Sequence, residues 1–253
     1  MEHHESLPST SDRLRTLAME GVPAFTVVIA DEQTGGRGRG GRSWHSPRNA
    51  GLWMSILLDA PAGGGPGVVP LLVGVLAARA VESVAGVRVG LKWPNDLVIR
   101  SRPGGPTLGK LGGVLAEAVR TPDGPRIIVG VGVNLRRPPS LPADAAGAAF
   151  LEEAAGRSIA AGDLAEALLG ELRTHANPPP AVLEGAVREA WGERDVLEGR
   201  RVAPDLALEG LALGVGADGC LRVRDDRGAV HEVRAGSVRI VGEGPAAIYS
   251  AEG

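Results

Sequence analysis

The chain has 253 residues, and its 27 Lys and Arg against 30 Asp and Glu give a formal net charge of −3. A protein that mainly coats nucleic acid is usually basic overall, so this charge disfavours that class. The single cysteine excludes an internal disulfide and a multi-thiolate metal site, and it indicates a reducing compartment. No run of about 18 apolar residues occurs, and the N-terminus lacks the apolar core of a signal peptide. We therefore expect a cytoplasmic protein that makes no membrane contact.

Hydrophobic patterning divides the first three quarters of the chain into strands and helices in mixed order. Apolar, β-branched runs predict strands, and apolar residues three and four positions apart predict helices. In chain order, the predicted elements are a helix at 11–20, strands at 24–30 and 52–58, a helix at 68–84, strands at 87–93, 97–100, 110–119 and 126–134, and helices at 163–175 and 181–191. This order indicates an α+β main domain, which we place at residues 1–194.

A different pattern begins after Trp191. Five short strands are predicted at 201–203, 206–215, 220–224, 230–234 and 238–241, with turn sequences such as GADG and DDRG between them. Short strands at even spacing are typical of a small all-β barrel. We therefore predict a barrel domain at residues 195–242, followed at 243–253 by a disordered tail with little to pack against.

The densest candidate for ligand binding is the segment 35–44, GGRGRGGRSW, which lies between two strands predicted to be buried. Glycine lets the backbone approach an anion closely. Arg37, Arg39 and Arg42 offer planar, bidentate donors to phosphate or carboxylate. A solvated loop and an RNA-binding tract are the alternatives for such a composition. The segment matches neither the G-x-x-x-x-G-K-[ST] phosphate loop nor the dinucleotide fingerprint.

Polar residues also follow a strand in KWPND, at positions 92–96, where Asn95 and Asp96 come directly after the proline. Sites are commonly built at such strand ends. A plain turn is the more frequent reason for the same residues, because Pro, Asn and Asp all favour turns.

Two glycine-containing strands complete the candidates. In GKLGGVLAE, Lys110 precedes Gly112 and Gly113, and glycine inside a strand often marks the close approach of a ligand or another backbone. A strand-edge lysine that prevents aggregation is the alternative. In VGVGVN, at 129–134, alternating glycines offer a flat surface for an apolar ligand, although close sheet packing is the more frequent reason.

The sequence contains no recognisable zinc site or enzyme nucleophile. Of five histidines only His3 and His4 are adjacent, and we expect them on a mobile terminus. Cys220 falls in the predicted barrel, far along the chain from the glycine-rich segments, so we interpret it as a small buried hydrophobe. No serine is set in the histidine–carboxylate pattern of a catalytic triad; those near the arginines are Ser43, Ser46 and Ser55.

In combination and in this order, GRGRGGRSWHSP, GLWMSILL, KWPNDLVI, GKLGGVLAE and VGVGVNL resemble the biotin protein ligases. The match covers roughly residues 9–135, and the C-terminal RAGSVRIV is similar to the family's terminal barrel. The resemblance implies an α+β fold, with a mixed-sheet catalytic domain like that of class II synthetases and a small C-terminal all-β barrel. It implies that ATP and biotin are substrates, with magnesium, and that biotin passes through biotinyl-5′-adenylate to a lysine of a biotin carboxyl carrier protein domain of a carboxylase.

The resemblance also implies roles for individual residues, while the metal ligands stay unassigned. The catalytic group is Lys110, Arg39 and Asp96. The biotin-binding group is Ser9, Thr10, Ser11, Gln33, Arg37, Lys110, Gly112 and Gly113. The nucleotide-binding group is Arg37, Gly38, Arg39, Arg42, Trp44, Asn95 and Asn134. Ser11 departs from the family's asparagine, and Asn49 stands where many members have glycine, which asparagine can replace at positive φ.

Two other functions are compatible with parts of this pattern. A lipoate or octanoate protein ligase shares the fold class. A cysteine-dependent transferase of this kind needs its thiol in the main domain, and Cys220 lies outside it. KWPND and the lysine–glycine strand also favour biotin. A nucleic-acid binder is disfavoured by the net charge and by only two Phe and one Tyr for base stacking. About eight residues precede Ser9, too few for a helix-turn-helix, so we expect no DNA partner. We expect a monomer or a homodimer.

Overall fold

The computed structural model describes residues 1–61, 67–100, 108–142, 145, 147–176, 178–204 and 208–242. The tail predicted at 243–253 and the first two residues of the strand predicted at 206–215 lie outside the described residues. Across the described residues, no helix combines the length and the apolar character needed to cross a membrane.

The described residues form helices around two β-sheets. The helices are α1 (Thr10–Met19), α2 (Val69–Ala85), α3 (Leu151–Ala155), α4 (Ala161–His175) and α5 (Gly185–Gly192), with a 3-10 turn at Arg39–Gly41. The strands of the first sheet are β1 (Glu2–His4), β2 (Val27–Ala30), β3 (Gly51–Asp59), β4 (Gly90–Lys92), β5 (Asp96–Arg100), β6 (Leu108–Thr121) and β7 (Gly124–Asn134). The strands of the second sheet are β8 (Arg201–Ala203), β9 (Gly210–Val215), β10 (Leu221–Arg224), β11 (Val230–Val233) and β12 (Arg239–Ile240).

The first sheet is mixed, with seven strands in the order β1-β2-β3-β7-β6-β5-β4. Only the β1–β2 pair is parallel, and the other neighbours are antiparallel. Because side chains alternate along a strand, β3 sends Met54 and Ile56 into the core under α2 and α4, and Leu57 into the smaller core under α1. Helices therefore cover both faces of the sheet, which explains the continuous apolar sequence of β3. The predicted α+β class with a mixed sheet is confirmed.

The prediction of a mobile N-terminus is wrong. Residues 2–4 form β1, which pairs in register with β2, with His3 opposite Ile29. Arg13 of α1 donates to both carboxylate oxygens of Glu2, at 2.9 and 2.8 Å. His3 Nε2 lies 2.7 Å from Asp31 Oδ1. Three residues are too few to show alternation, and their partners come from elsewhere in the chain, so the local pattern held no signal for this strand.

The second sheet has five strands in the order β11-β10-β9-β8-β12, and every pair is antiparallel. Each strand predicted after Trp191 has a counterpart here, which confirms an all-β module at the C-terminus. Among the described residues, the two outer strands of this sheet, β11 and β12, do not pair with each other.

The two sheets share one hydrophobic core. Leu91 of β4 donates its N–H to Arg194 O at 2.7 Å and accepts from Val196 N at 3.0 Å. Trp93 donates its indole N–H to Gly219 O at 2.9 Å. Buried residues of the second sheet belong to the same cluster as α2 and β4; they include Val202, Ala212, Leu221 and Val223. A boundary between domains at residues 194 and 195 therefore stays a prediction.

Candidate functional site

An open cavity of about 360 Å³ lies where the start of α1, the arginine segment, the β4–β5 turn, β6, β7 and the second sheet converge. All but two of the predicted site residues line it. Those that do are Ser9, Thr10, Ser11, Gln33, Arg37, Gly38, Arg39, Arg42, Trp44, Asn95, Asp96, Lys110 and Gly113. Segments that are far apart in the sequence thus meet at one place, as their predicted roles require.

One end of the cavity is polar and buried, and it is built by the start of α1. Ser9 is the N-cap, because its Oγ accepts from Asp12 N at 3.4 Å. Thr10 donates from its backbone N and from Oγ1 to Gln33 Oε1, at 2.9 and 3.0 Å. Gln33 in turn donates from Nε2 to Ser46 Oγ at 2.8 Å. These bonds fix the amide of Gln33 and the hydroxyls of α1 toward the cavity.

Ser55 supports this polar end from behind the cavity lining, although the sequence did not single it out as a site residue. Its Oγ shares hydrogen bonds with Thr10 Oγ1 at 2.7 Å and with Ser11 Oγ at 3.0 Å. Ser55 is 0% exposed in the middle of β3. A buried polar side chain needs partners, so one serine inside the apolar run LWMSILL was the available signal. Ser11, the departure from the family's asparagine, keeps a polar group at this place.

The opposite end of the cavity is cationic. Lys110 Nζ lies 2.7 Å from Asp96 Oδ1 and 5.2 Å from the centre of a Trp44 ring. Lys92, which also lines the cavity, was not predicted as a site residue. Burial lowers the pKa of the Lys92 ammonium, the charge of Asp96 opposes this, and Lys110 adds to it. The Asp96 carboxylate therefore pairs with Lys110 and also stabilises the charge of Lys92.

The three arginines of the segment have different surroundings. Arg37 pairs with Asp12 at 2.8 Å and with Glu117 at 3.0 Å, so its charge is already compensated by α1 and β6. Arg39 donates from Nη1 to Asn95 Oδ1 at 3.2 Å, and burial lowers the pKa of its guanidinium. Neither Arg39 nor Arg42 takes part in an ion pair with another described residue. These two cations therefore keep the capacity to meet an anion.

The glycines of β6 and β7 allow close packing beneath Trp44. An added Cβ on Gly132 would lie 2.6 Å from Trp44 Nε1, and one on Gly112 would lie 2.5 Å from Gly132 O. One on Gly113 would meet nothing closer than Asn95 O, at an ordinary 3.5 Å. Gly113 lines the cavity, whereas Gly112 serves the packing of the sheet.

Asn134 is the second predicted residue outside the cavity lining. Its Nδ2 donates to Lys110 O at 3.3 Å and to Ala149 O at 3.4 Å, so it supports the strand that carries Lys110. Asn49, which the resemblance places where glycine is common in the family, has φ 57°, and its N–H donates to Asp31 O at 2.9 Å. The sequence prediction that asparagine supplies a positive φ here is confirmed.

The sequence profile of the biotin/lipoate A/B protein ligase family matches residues 4–134, more than half of the chain. The chain belongs to this family. It is similar to the bifunctional ligase/repressor BirA of Bacillus subtilis, with 37% identity over 141 residues, 54% of this chain and 41% of that protein. It is also similar to the biotin--[acetyl-CoA-carboxylase] ligase of Mycobacterium tuberculosis, with 35% identity over 138 residues, 52% of this chain and 47% of that protein. The match thus spans less than half the length of these curated relatives.

The whole described fold has counterparts among solved structures. The biotin protein ligase from Aquifex aeolicus in complex with biotin and ATP superposes with a TM-score of 0.74 and 25% identity, over 95% of this chain and 98% of that chain. The ligase from Leishmania major in complex with biotin gives a TM-score of 0.61 and 28% identity, over 92% of this chain and 98% of that chain. These matches confirm the predicted fold class.

Proposed function

We propose that this protein is a biotin protein ligase. It joins biotin to ATP to give biotinyl-5′-adenylate, and it then transfers biotin to a lysine of a biotin carboxyl carrier protein domain. The observation that carries the proposal is one cavity with two unlike ends: a buried set of hydroxyl and amide groups, and a cationic end around Asp96. Supporting relatives are named biotin--[acetyl-CoA-carboxylase] ligases, and a supporting structure contains biotin and ATP.

The polar end favours biotin over lipoate, the other substrate in the family's name. The ureido ring of biotin has two N–H donors and a carbonyl acceptor, whereas the dithiolane ring of lipoate has only sulfur atoms. Thr10 and Ser11 line the cavity, and their hydroxyls, which Ser55 holds from behind, can accept or donate a further hydrogen bond beside Gln33. A dithiolane would offer these groups no hydrogen-bond partner, so the site should bind biotin more tightly than lipoate.

The cationic end suits the first chemical step. A carboxylate is a poor acylating agent, so the biotin carboxylate oxygen attacks the α-phosphorus of ATP, the α–β phosphoanhydride bond breaks, and pyrophosphate leaves. Negative charge concentrates at the α-phosphate during this step. Lys110, Lys92 and Arg39 line the place where that charge develops, and fixed cations there lower the barrier.

Magnesium fits the same end of the cavity. Mg²⁺ is commonly held by one or two carboxylates together with phosphate oxygens, and the Asp96 carboxylate lies next to the Asn95 amide in the cavity lining. When bound, the ion would neutralise phosphate charge and orient the leaving pyrophosphate. We propose Asp96 as its protein ligand, with Asn95 beside it.

The second step needs no nucleophile from the enzyme. The neutral amine of the acceptor lysine attacks the acyl carbon of the adenylate, the C–O bond to AMP breaks, and the amine proton passes to solvent. Cys220 lies buried in the second sheet next to Asp218, and burial raises the pKa of its thiol, so it is not an activated thiolate. The arginine segment at the cavity edge protects the mixed anhydride from water.

We further propose that the protein acts in the cytoplasm, as a monomer or homodimer, with a carboxylase carrier domain and no DNA as its partner. The test of the proposed function is pyrophosphate exchange into ATP with either biotin or lipoate. We expect exchange that depends on biotin and on magnesium. Exchange with lipoate but not with biotin would identify a lipoate ligase instead.

A further inference from the structure

The second sheet contributes a wall of the cavity. Gly236, Ser237 and Val238, in the turn before β12, line it together with residues of the first sheet. Val238 is 4% exposed and belongs to the shared core. Val241 donates its N–H to Arg201 O at 2.8 Å. The turn is therefore fixed directly after Ser237, although the Ser237 side chain itself is exposed.

This turn contacts the two arginines that have no ion pair with a described residue. Arg42 Nη2 donates to Ser237 Oγ at 2.8 Å. Arg39 Nη1 donates to Gly236 O at 3.3 Å, in addition to its bond to Asn95. At the other end of the segment, Arg37 forms ion pairs with Asp12 of α1 and Glu117 of β6. The arginine segment therefore spans the cavity edge between two separate anchoring surfaces.

We propose that Ser237 is a positioning residue that holds the arginine segment against the second sheet through Arg42, and that the second sheet thereby slows escape of the adenylate. This inference rests on the proposed function only for the identity of the retained molecule. The contact itself joins parts of the chain nearly two hundred positions apart. Its loss releases the Arg42 side chain and leaves the Arg39 bond to Gly236 O and the Arg37 anchor in place.

The decisive variant is Ser237→Ala, which removes the acceptor for Arg42 and leaves the backbone of the turn unchanged. We expect amide hydrogen exchange in residues 36–44 of the ligand-free protein to become about fivefold faster, the usual effect of one exposed hydrogen bond. The adenylate should dissociate faster by a similar factor. Ser237→Thr, which keeps the hydroxyl, restores both values. Ser83→Ala, at an exposed position of α2 outside the cavity, behaves as the wild type.

The double variant Arg42→Ala/Ser237→Ala shows whether Ser237→Ala acts through its hydrogen bond with Arg42 or by making the turn more mobile in general. If Arg42 and Ser237 act through each other, Arg42→Ala/Ser237→Ala exchanges no faster than Arg42→Ala alone. Additive effects, or a Ser237→Ala protein with wild-type exchange in residues 36–44, would overturn the inference. If the wild type made no adenylate from biotin, the proposed function would fail, and the exchange measurement on ligand-free protein would still decide the role of Ser237.

Discussion

Lys110 lies at the cationic end of the cavity, paired with Asp96 and facing the ring of Trp44. Under the proposed function it contacts the biotin carboxylate and the α-phosphate. We expect Lys110→Ala to lower the rate of adenylate formation about a hundredfold, because it removes one fixed cation from developing negative charge. Biotin-dependent pyrophosphate exchange measures this rate.

The matched control is Arg120→Ala, which removes a cation from an exposed position of the same strand outside the cavity. It should keep wild-type exchange, and both variants should keep the wild-type melting temperature. A Lys110→Ala protein within threefold of the wild-type rate would remove Lys110 from the catalytic group.

Asp195 is a buried carboxyl at the junction of the sheets, 0% exposed, with Oδ1 accepting from Leu197 N at 2.8 Å. Its Oδ2 has no hydrogen-bond partner among the described residues. Burial raises the pKa of this carboxyl from 3.8 to about 6. Between these values the unfolded chain ionises and the folded chain stays protonated, so the free energy of unfolding falls as pH rises, and the penalty is complete above about pH 6.

We therefore expect the stability advantage of Asp195→Asn over the wild type to grow by about 2 kcal/mol between pH 4 and pH 7, since one pKa unit corresponds to about 1.4 kcal/mol and part of the penalty is already present at pH 4. Urea unfolding at both pH values measures the difference between the two proteins. Comparison with the wild type cancels the opposite effect of carboxylates such as Glu2, whose pKa is lowered to about 2. Asp123→Asn, in an exposed turn, serves as control, and an Asp195→Asn difference independent of pH would contradict the prediction.

Among individual residues, the sequence predicted those site residues whose type and spacing indicate their chemistry. Arginines among glycines, and a lysine before two glycines, are visible locally. Lys92 and Ser237 were missed because their importance comes from neighbours far along the chain: Lys110 for the first, Arg42 for the second. Ser55 left only a weak signal, a single polar residue in an apolar strand.

The glycine strands β6 and β7 form the element on which the substrate is expected to rest. Their two adjacent glycines have different surroundings, which allows a matched pair of variants. Gly112→Ala places a Cβ 2.5 Å from Gly132 O, so the strands must separate. We expect a loss of about 1–3 kcal/mol in the free energy of unfolding, as for other overpacked sites. Urea denaturation measures it.

Gly113→Ala meets nothing closer than 3.5 Å and should keep wild-type stability. Because Gly113 lines the cavity, its added methyl group should weaken biotin binding, measured by titration calorimetry. Equal stability losses in the two variants would show that the Gly112 contact does not limit the packing of β6 on β7.

Elements whose pattern is local were predicted well, and those that depend on distant partners were not. The long helix α2 and the central strand β3 extend at most one residue beyond their predicted ends. β1 was missed because its order comes from β2, Arg13 and Asp31 rather than from its own residues. The strand predicted at 24–30 begins only at Val27, because Phe25 has φ 66° and leaves the extended conformation.

At the scale of the molecule, the shared core predicts that the two sheets unfold together. Trp93 joins them through its indole N–H, which donates to Gly219 O. Trp93→Phe keeps a ring in the core and leaves a buried carbonyl without this donor. We expect a loss of about 1–2 kcal/mol in the free energy of unfolding. Hydrogen exchange under increasing urea should rise at the same urea concentration in β3 and in β10.

The exchange profile of the wild type is the reference for cooperative unfolding of the two sheets. Trp53→Phe is the control for losing an indole N–H, because the Trp53 indole donates to Pro47 O, away from the junction of the sheets. If β10 exchanged at clearly lower urea than β3 in the wild type, the second sheet would be an independent folding unit. The boundary predicted from the change of pattern after Trp191 would then be correct in energetic terms as well.

The cavity takes its walls from Ser9 at the start of α1 and from Val238 beside β12. Ribosomes synthesise a chain from its N-terminus, so the polar end and the cationic end are made long before the turn that carries Ser237. A nascent chain therefore lacks part of the site until translation has passed this turn. A premature stop codon within β8–β12 would release a product with the chemical groups of the first sheet but without the surface that holds Arg39 and Arg42.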